Sequence, residues 1–221
     1  AYVTLSATAL HNKNKIKKIY DIFKNSNDEQ NSSLDGSYDY NDGQPGDTEV
    51  LEKYLNKFTK PATLYYEGCS MTAIWGVRSL GIDPATGQEM FLTKDGRSTY
   101  TWSSADQVVI GDTSPKMSGT LNLNAGYKGF TFSASCSYKF GGDLYNSELV
   151  ARMENINGQS NLDRRLFKAW QKVGDVAPYK VTVISSGSTN YTKPTSRFVQ
   201  KNNELYISSV NVGYDFAGAA W

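Results

Sequence analysis

Residues 121–140 read LNLNAGYKGFTFSASCSYKF, and their spacing decides the fold. Leu121, Leu123, Ala125 and Tyr127 alternate with Asn122, Asn124 and Gly126. Beyond Lys128-Gly129, Phe130, Phe132, Ala134, Cys136, Tyr138 and Phe140 alternate with Thr131, Ser133, Ser135, Ser137 and Lys139. A period of two sends successive side chains to opposite faces of a strand, and a helix cannot satisfy it. Lys128-Gly129 is a compact connection, with Gly129 free to take positive φ. The stretch is predicted to be an antiparallel hairpin.

The chemistry of the two faces says more than the alternation. One face is aromatic and aliphatic. The other is Thr, Ser, Asn and Gly, with Lys139 its only charged residue. A soluble sandwich usually turns Lys, Glu and Arg outward, whereas small neutral polar side chains suit the hydrated lumen of a barrel whose apolar face meets lipid. Phe130 and Phe140, with Tyr127 and Tyr138 nearby, put aromatic rings near both ends, where water meets membrane. The arm length matches the about 9–11 residues of a spanning strand. The pattern favours a transmembrane barrel over a soluble sandwich.

Working outward, Val3, Leu5, Ala7 and Ala9 alternate with Thr4, Ser6 and Thr8, and Tyr206, Ser208, Val210, Val212, Tyr214 and Phe216 form a similar file near the end. Strands are therefore expected at about 2–10, 118–127, 129–140 and 204–216. A further strand is expected at 63–77, where the pattern is blurred, with short pieces at Thr99–Trp102 and Gln107–Ile110. The intervening stretches, about 13–61 and 141–197, are long connections. The first holds Lys13, Lys15, Lys17 and Lys18, then an Asn/Asp/Ser/Gly-rich run over 25–47. A helix is expected over Thr48–Thr59, where Val50, Leu51, Tyr54, Leu55 and Phe58 share a face. In the second, Leu162, Leu166 and Trp170 recur at helical spacing. Short turns at one end of the strands and long loops at the other are the asymmetry of outer-membrane barrels.

Composition agrees. The chain has 221 residues, 23 Lys+Arg against 22 Asp+Glu, and a net charge of +1. That balance argues against a nucleic-acid partner, which calls for a basic excess. Mean hydropathy is −0.50, and no run of about 18 apolar residues provides a transmembrane helix. Alternating barrel strands average out as polar, so they escape that test. One histidine, His11, and two distant cysteines, Cys69 and Cys136, supply no metal constellation, and nothing in their spacing favours a disulfide. No paired carboxylates stand out as an acid–base couple, and no enzyme is expected. The chain opens on strand-like alternation with no signal-peptide pattern, so it is expected to be a piece of something longer.

Many short blocks then occur in a telling order. They are Gly81-Ile82-Asp83-Pro84-Ala85-Thr86-Gly87, Asp106 with Ile110-Gly111-Asp112, Ser114-Pro115-Lys116, Tyr127-Lys128-Gly129-Phe130 and Gly141-Gly142-Asp143-Leu144-Tyr145-Asn146. Asn161-Leu162-Asp163-Arg164-Arg165, Trp170, Pro194-Thr195-Ser196-Arg197-Phe198-Val199-Gln200 and Val212-Gly213-Tyr214-Asp215-Phe216 follow. Together they resemble the SusC/RagA family of TonB-dependent outer-membrane importers of Bacteroidota. The resemblance implies an all-β fold: an internal, late segment of an antiparallel transmembrane barrel of about 22 strands, with long extracellular loops carrying short helices. The plug, the TonB-box and the last strands would lie outside this segment. The hairpin at Tyr127–Phe130 would be periplasmic, with 1–10 and 130–140 running outward and 118–127 and 205–216 inward.

The implied partners are a surface lipoprotein of the SusD/RagB type, the TonB complex through the missing N-terminal region, membrane lipid, and a glycan or peptide substrate. The implied location is the outer membrane. On this reading Leu121, Leu123, Tyr127, Phe130, Phe132, Tyr138, Phe140, Val210, Val212, Tyr214 and Phe216 face lipid. Tyr65, Tyr66, Trp75, Tyr100 and Trp102 are candidates for substrate or partner contact, against the plainer role of anchoring their own loops. The resemblance also implies a possible site for calcium in the loop at 95–106. Here Lys94 and Arg97 flank Asp95 and the ladder of oxygen ligands is missing, so no cofactor is expected. Arg197, where a long loop re-enters the barrel, is expected to tie loop carboxylates or polar groups at the rim rather than to bind substrate. The rival reading is a free-standing carbohydrate-binding β-sandwich using the same aromatics.

Overall fold

The computed structural model describes residues 1–35, 59–156, 163–182 and 191–216. In chain order its elements are β1 (Tyr2–Leu10), α1 (Asp21–Asp35), β2 (Ala73–Gly76), β3 (Arg78–Ile82), β4 (Glu89–Leu92), β5 (Ser98–Thr99), β6 (Val108–Asp112), β7 (Met117–Tyr127), β8 (Phe130–Tyr145), α2 (Ser147–Met153) and β9 (Val199–Tyr214). The expected helix at Thr48–Thr59 lies, but for its last residue, outside the described residues. The chain divides into two compact units. The first comprises Ala1–Asn14, Thr113–Asp143 and the chain from Lys201 onward; the second comprises Lys15–Asp112 and Leu144–Gln200.

The first unit is a four-stranded sheet in the order β1-β7-β8-β9. β7 and β8 pair antiparallel from Met117↔Phe140 to Tyr127↔Phe130, and β1 pairs antiparallel with β7 from Tyr2↔Gly126 to Leu10↔Ser118. The connecting residues Lys128 and Gly129 have φ of 45° and 86°. Two positive values make a type I′ turn, whose twist suits a tight hairpin. This register aligns Val3, Ala125 and Phe132 on one face, with Leu5, Leu123 and Ala134 beside them.

The opposite face is stitched by small polar groups. Thr8 and Thr120 share a hydroxyl hydrogen bond of 2.8 Å, Ser135 donates to Asn122 at 2.6 Å, and Asn211 donates to Ser133 at 3.2 Å. Such cross-strand pairs stabilise a sheet without an apolar layer over it. β8 and β9 run further than the alternation suggested, to Tyr145 and back to Val199. The pattern breaks at Gly141-Gly142, but pairing is carried on by Gly141 N–H donating to the Asn203 side chain at 2.9 Å and Lys201 donating to Asp143 at 2.6 Å.

The second unit holds two small sheets, β2-β6 and β3-β4-β5. Its core is Leu149, Val150 and Met153 of α2 with Phe198, and Tyr145, Leu166 and Tyr179 pack against it. The Asn146 side chain caps α2 by accepting from Leu149 N–H at 2.9 Å.

Three sequence expectations are corrected here. The strand expected over 63–77 shrinks to Ala73–Gly76. The Asn27 side chain grips both backbone groups of Tyr65, at 2.6 and 3.0 Å, while Ile16 exchanges backbone bonds with Gly68 and Cys69. The groups a ladder would use are therefore already satisfied. The strand expected at Thr99–Trp102 is reduced to Ser98–Thr99. Of the residues at helical spacing, Leu166 lies in a 3-10 segment, Arg164–Lys168, capped by Asp163, and Trp170 lies beyond its end; Leu162 lies outside the described residues.

α1 was not expected at all. Its covered stripe is Asn27, Gln30, Asn31 and Leu34, helical in spacing but built mostly of amides, so no apolar period announces it.

Candidate functional site

Arg197 is the electrostatic centre of the second unit. All five of its N–H donors are used. Nε and one Nη bond Glu89 at 2.8 and 2.6 Å, both Nη atoms bond Glu154 at 2.8 and 2.9 Å, and one Nη reaches the Pro178 carbonyl at 2.9 Å. The side chains are 13% exposed for Arg197, 5% for Glu89 and none for Glu154. Glu154 also accepts from Lys180 N–H at 3.1 Å and the Thr192 hydroxyl at 2.7 Å.

Burial drives the Glu154 carboxyl up, but Arg197, Lys180 and Thr192 outweigh it and hold the group below its ordinary value. Burial likewise opposes the charge on Arg197, and the two carboxylates more than restore it. Lys180 is pulled down by burial further than Glu154 and Glu89 lift it. The expectation that Arg197 ties carboxylates is met by Glu89 of β4 and Glu154 just after α2.

A second constellation surrounds Gly87. The Asp83 carboxylate accepts from Ala85 N–H at 3.0 Å, the Thr86 hydroxyl at 2.8 Å and the Tyr100 hydroxyl at 2.8 Å, which hold it below the usual carboxylate range. Trp170 donates its indole N–H to the Pro84 carbonyl at 3.0 Å and lays its ring over Gly87. Gly87 has φ of +70°, and a Cβ there would fall 2.6 Å from the ring. The Asp-Pro-Ala-Thr-Gly block is a seat for Trp170.

The five candidate contact aromatics do not form one cluster. Tyr66 and Trp75 meet with ring centroids 4.9 Å apart. Tyr65 packs edge-on against Phe23 at 5.7 Å. Trp102 donates to the Pro194 carbonyl at 3.1 Å beneath the Lys193 ammonium, and Tyr100 is committed to Asp83. Tyr66 and Trp75 share a cavity of about 460 Å³, with Asn31, Lys94 and Gln107 among its walls. In the 95–106 loop, Asp95 pairs with Arg97 at 3.1 Å and Asp106 accepts from Lys94 N–H at 3.0 Å. Among the described residues no three His, Cys, Asp or Glu side chains converge as metal ligands.

The aromatic face of the first unit is uncovered. Leu121, Tyr127, Phe130, Phe132, Phe140, Val210, Val212, Tyr214 and Phe216 are all exposed, while Leu123 and Tyr138 are partly covered by neighbouring strands. Phe130 and Tyr214 touch across β8 and β9 with centroids 4.5 Å apart, and Tyr138 stacks on Phe140 at 5.5 Å. The Tyr138 hydroxyl donates to the Thr8 carbonyl at 3.0 Å, so even its polar end is satisfied within the sheet.

Sequence reasoning missed Gln107, Asn31 and Glu89. None lies in a motif of its own, and each gains its role from a partner distant in the chain.

No family model matches the chain. It is 25% identical over 140 residues to TonB-dependent receptor P3 of Formosa agariphila, covering 63% of this chain and 13% of that protein. It is 26% identical over 112 residues to TonB-dependent receptor P39 of the same bacterium, covering 50% and 11%. Among solved structures, the RagAB peptide transporter matches with a TM-score of 0.51 and 18% identity over 71% of this chain and 18% of that one. The RagAB peptide importer in its "closed-closed" state matches with a TM-score of 0.52 and 20% identity, over 70% and 18%. At those identities the structural likeness is one of fold. The chain thus spans under a fifth of the length of these relatives, all of them receptors or transporters. The chain is thus similar in sequence to parts of two TonB-dependent receptors and in fold to part of the RagAB transporter.

Proposed function

We propose that the chain supplies part of the barrel wall and of the outer loops of a nutrient importer in the bacterial outer membrane. The observation that carries this reading is the first unit's sheet. Its apolar face is exposed along β7, β8 and β9, and its other face carries Thr, Ser and Asn. Water would oppose so much uncovered aromatic surface, whereas lipid would solvate it. A soluble carbohydrate-binding sandwich would cover that face with a second sheet; among the described residues nothing buries it.

Topology supports the same reading. The type I′ turn joins β7 to β8 at one end of the sheet, while the connections of 106 residues from β1 to β7 and 53 from β8 to β9 leave and return at the other. In a barrel of about 22 strands, β1 and β9 would continue into neighbouring strands, which removes their open edges. The short turn would face the periplasm and the long connections the outside.

The importer would take up a glycan or a peptide beneath a lipoprotein lid of the SusD/RagB type, with energy delivered by TonB through other parts of the protein. The step is gated passage with no covalent chemistry. Proteolysis of the protein reconstituted in vesicles tests the placement. Peptides from 117–140 and 201–216 should be protected until detergent is added, with cleavage confined to the second unit. Equal cleavage of both would overturn the reading.

A further inference from the structure

We propose that the groove at the turn end of the first unit's apolar face holds one anionic phospholipid, with an acyl chain over Ala125 and the head-group phosphate at Lys128. The strand register builds the groove. Val3 pairs with Ala125, and Ala125 with Phe132, so a single methyl stands between two larger side chains in one cross-strand row. Asn211 donates to Ser133, and the Thr131 hydroxyl donates to the Gly213 carbonyl at 3.4 Å. Those two bonds bring Val212 beside Phe132. In the neighbouring row Tyr127 pairs with Phe130. These six residues line a cavity of about 520 Å³. It is open to an occupant, since Val3, Tyr127, Phe130, Phe132 and Val212 are all exposed.

The chemistry of the walls selects an acyl chain. They offer apolar contact along one face of the sheet, and Ala125 leaves the room that Leu121 and Leu123 fill further along β7. The groove is continuous with the surface proposed to meet lipid, so a hydrocarbon chain reaches it without crossing water.

A cation marks one end. The Lys128 ammonium lies 5.4 Å from the centre of the Tyr127 ring, itself a wall of the groove. Among the described residues no carboxylate pairs with it. Its aliphatic stem can lie along the ring while the charge reaches phosphate at the membrane surface. Tyr127, Phe130 and Tyr214 gather at the same end, as aromatic rings do at the level of head groups. The acid at that end is Asp215. The rings of Tyr214 and Phe216 on either side of it touch, with centroids 4.8 Å apart, which turns Asp215 toward the opposite face.

The proposal rests on the importer reading for the membrane that supplies the lipid. The test uses the purified chain in maltoside detergent, carrying ¹³C-methyl alanine, with the Ala125 signal assigned by Ala125→Leu. Dihexanoyl phosphatidylglycerol, dihexanoyl phosphatidylcholine and glycerol phosphate are titrated separately. Phosphatidylglycerol should move the Ala125 methyl signal saturably. Ala7 and Ala9, which pair with Leu121 and Gly119 at the far end of the same face, should stay in place. Phosphatidylcholine should bind about fivefold more weakly, as one lysine near an anionic lipid surface implies. Lys128→Asn, a neutral residue that suits the positive φ of this turn, should remove that preference and leave phosphatidylcholine binding unchanged. Ala125→Leu fills the groove and should abolish the binding of both lipids by native mass spectrometry; Lys128→Asn, on an exposed turn, carries the test if Ala125→Leu does not fold.

The absence of a saturable shift would overturn the proposal. So would equal affinity for the two lipids, equal shifts at Ala7, Ala9 and Ala125, or a shift with glycerol phosphate alone. Vesicle protection of 117–140 is read separately. Protection without the lipid shift refutes the groove alone, and the shift without protection refutes the barrel placement alone.

Discussion

The two units solve the problem of apolar surface in opposite ways. The second buries Val150 and Met153 completely and Phe198 to 1% exposure, and it encloses a charged triad whose donors are all used. The first leaves Val212 74% exposed and Phe130 57% exposed while satisfying its polar groups within the sheet. The same chemical rule holds in both: polar groups need partners, and apolar groups need something other than water. On the proposed reading the two units meet different solvents: the second brings its own apolar interior, whereas the first would take one from the membrane.

The largest expected effect comes from taking that solvent away. Amide hydrogen exchange on the purified chain should show β7 and β8 protected in detergent and unprotected after its removal, while Val150 and Met153 keep their protection. Equal loss in both units would break the contrast. Next in size is Arg197→Met. Removing one member of a buried ionic group leaves the others uncompensated, at a cost of about 3–5 kcal/mol. Denaturant titration should place that loss in the second unit.

A matched pair sharpens the account of the sheet. Leu123→Arg, on the apolar face, should destabilise by about 2–4 kcal/mol in lipid, and the neighbouring Asn122→Arg far less. Gly87→Ala should cost about 1–3 kcal/mol, because the new methyl meets the Trp170 ring on a backbone at positive φ.

The smallest effect is that of acid. The Glu154 carboxyl is held below its ordinary value of 4.5, so the folded state binds its proton less readily than the unfolded chain. The stability this supplies is present above that value and is lost as pH falls through the lower folded value. Arg197 and Lys180 stay protonated throughout that window. A thermal-melt series in acid should therefore lower the second unit's transition only below about pH 4.5, and Glu154→Gln should flatten the dependence.

The hairpin at 121–140 was legible because a period of two is local: each residue carries its own evidence. The aromatic face and the hydroxyl face could be read in the same way, and so could the turn, from Lys128-Gly129. α1 was not, since its covered stripe uses Asn27 and Asn31, residues whose composition suggests loop. The blurred strand at 63–77 failed because Asn27, 38 residues earlier, takes the backbone of Tyr65. Arg197 could be singled out from its place at a loop's re-entry, but its partners Glu89 and Glu154 lie 108 and 43 residues away. Trp75 drew notice as an aromatic residue.

The central claim is that one face of the sheet meets lipid and the other meets water. A spin label placed in turn at each position from 131 to 138, in bilayers, reads this most directly through collision with oxygen and with a water-soluble nickel chelate. Positions 132, 134, 136 and 138 should favour oxygen, and 131, 133, 135 and 137 should favour nickel. Uniform access to nickel along β8, or an alternation of the opposite phase, would contradict the account.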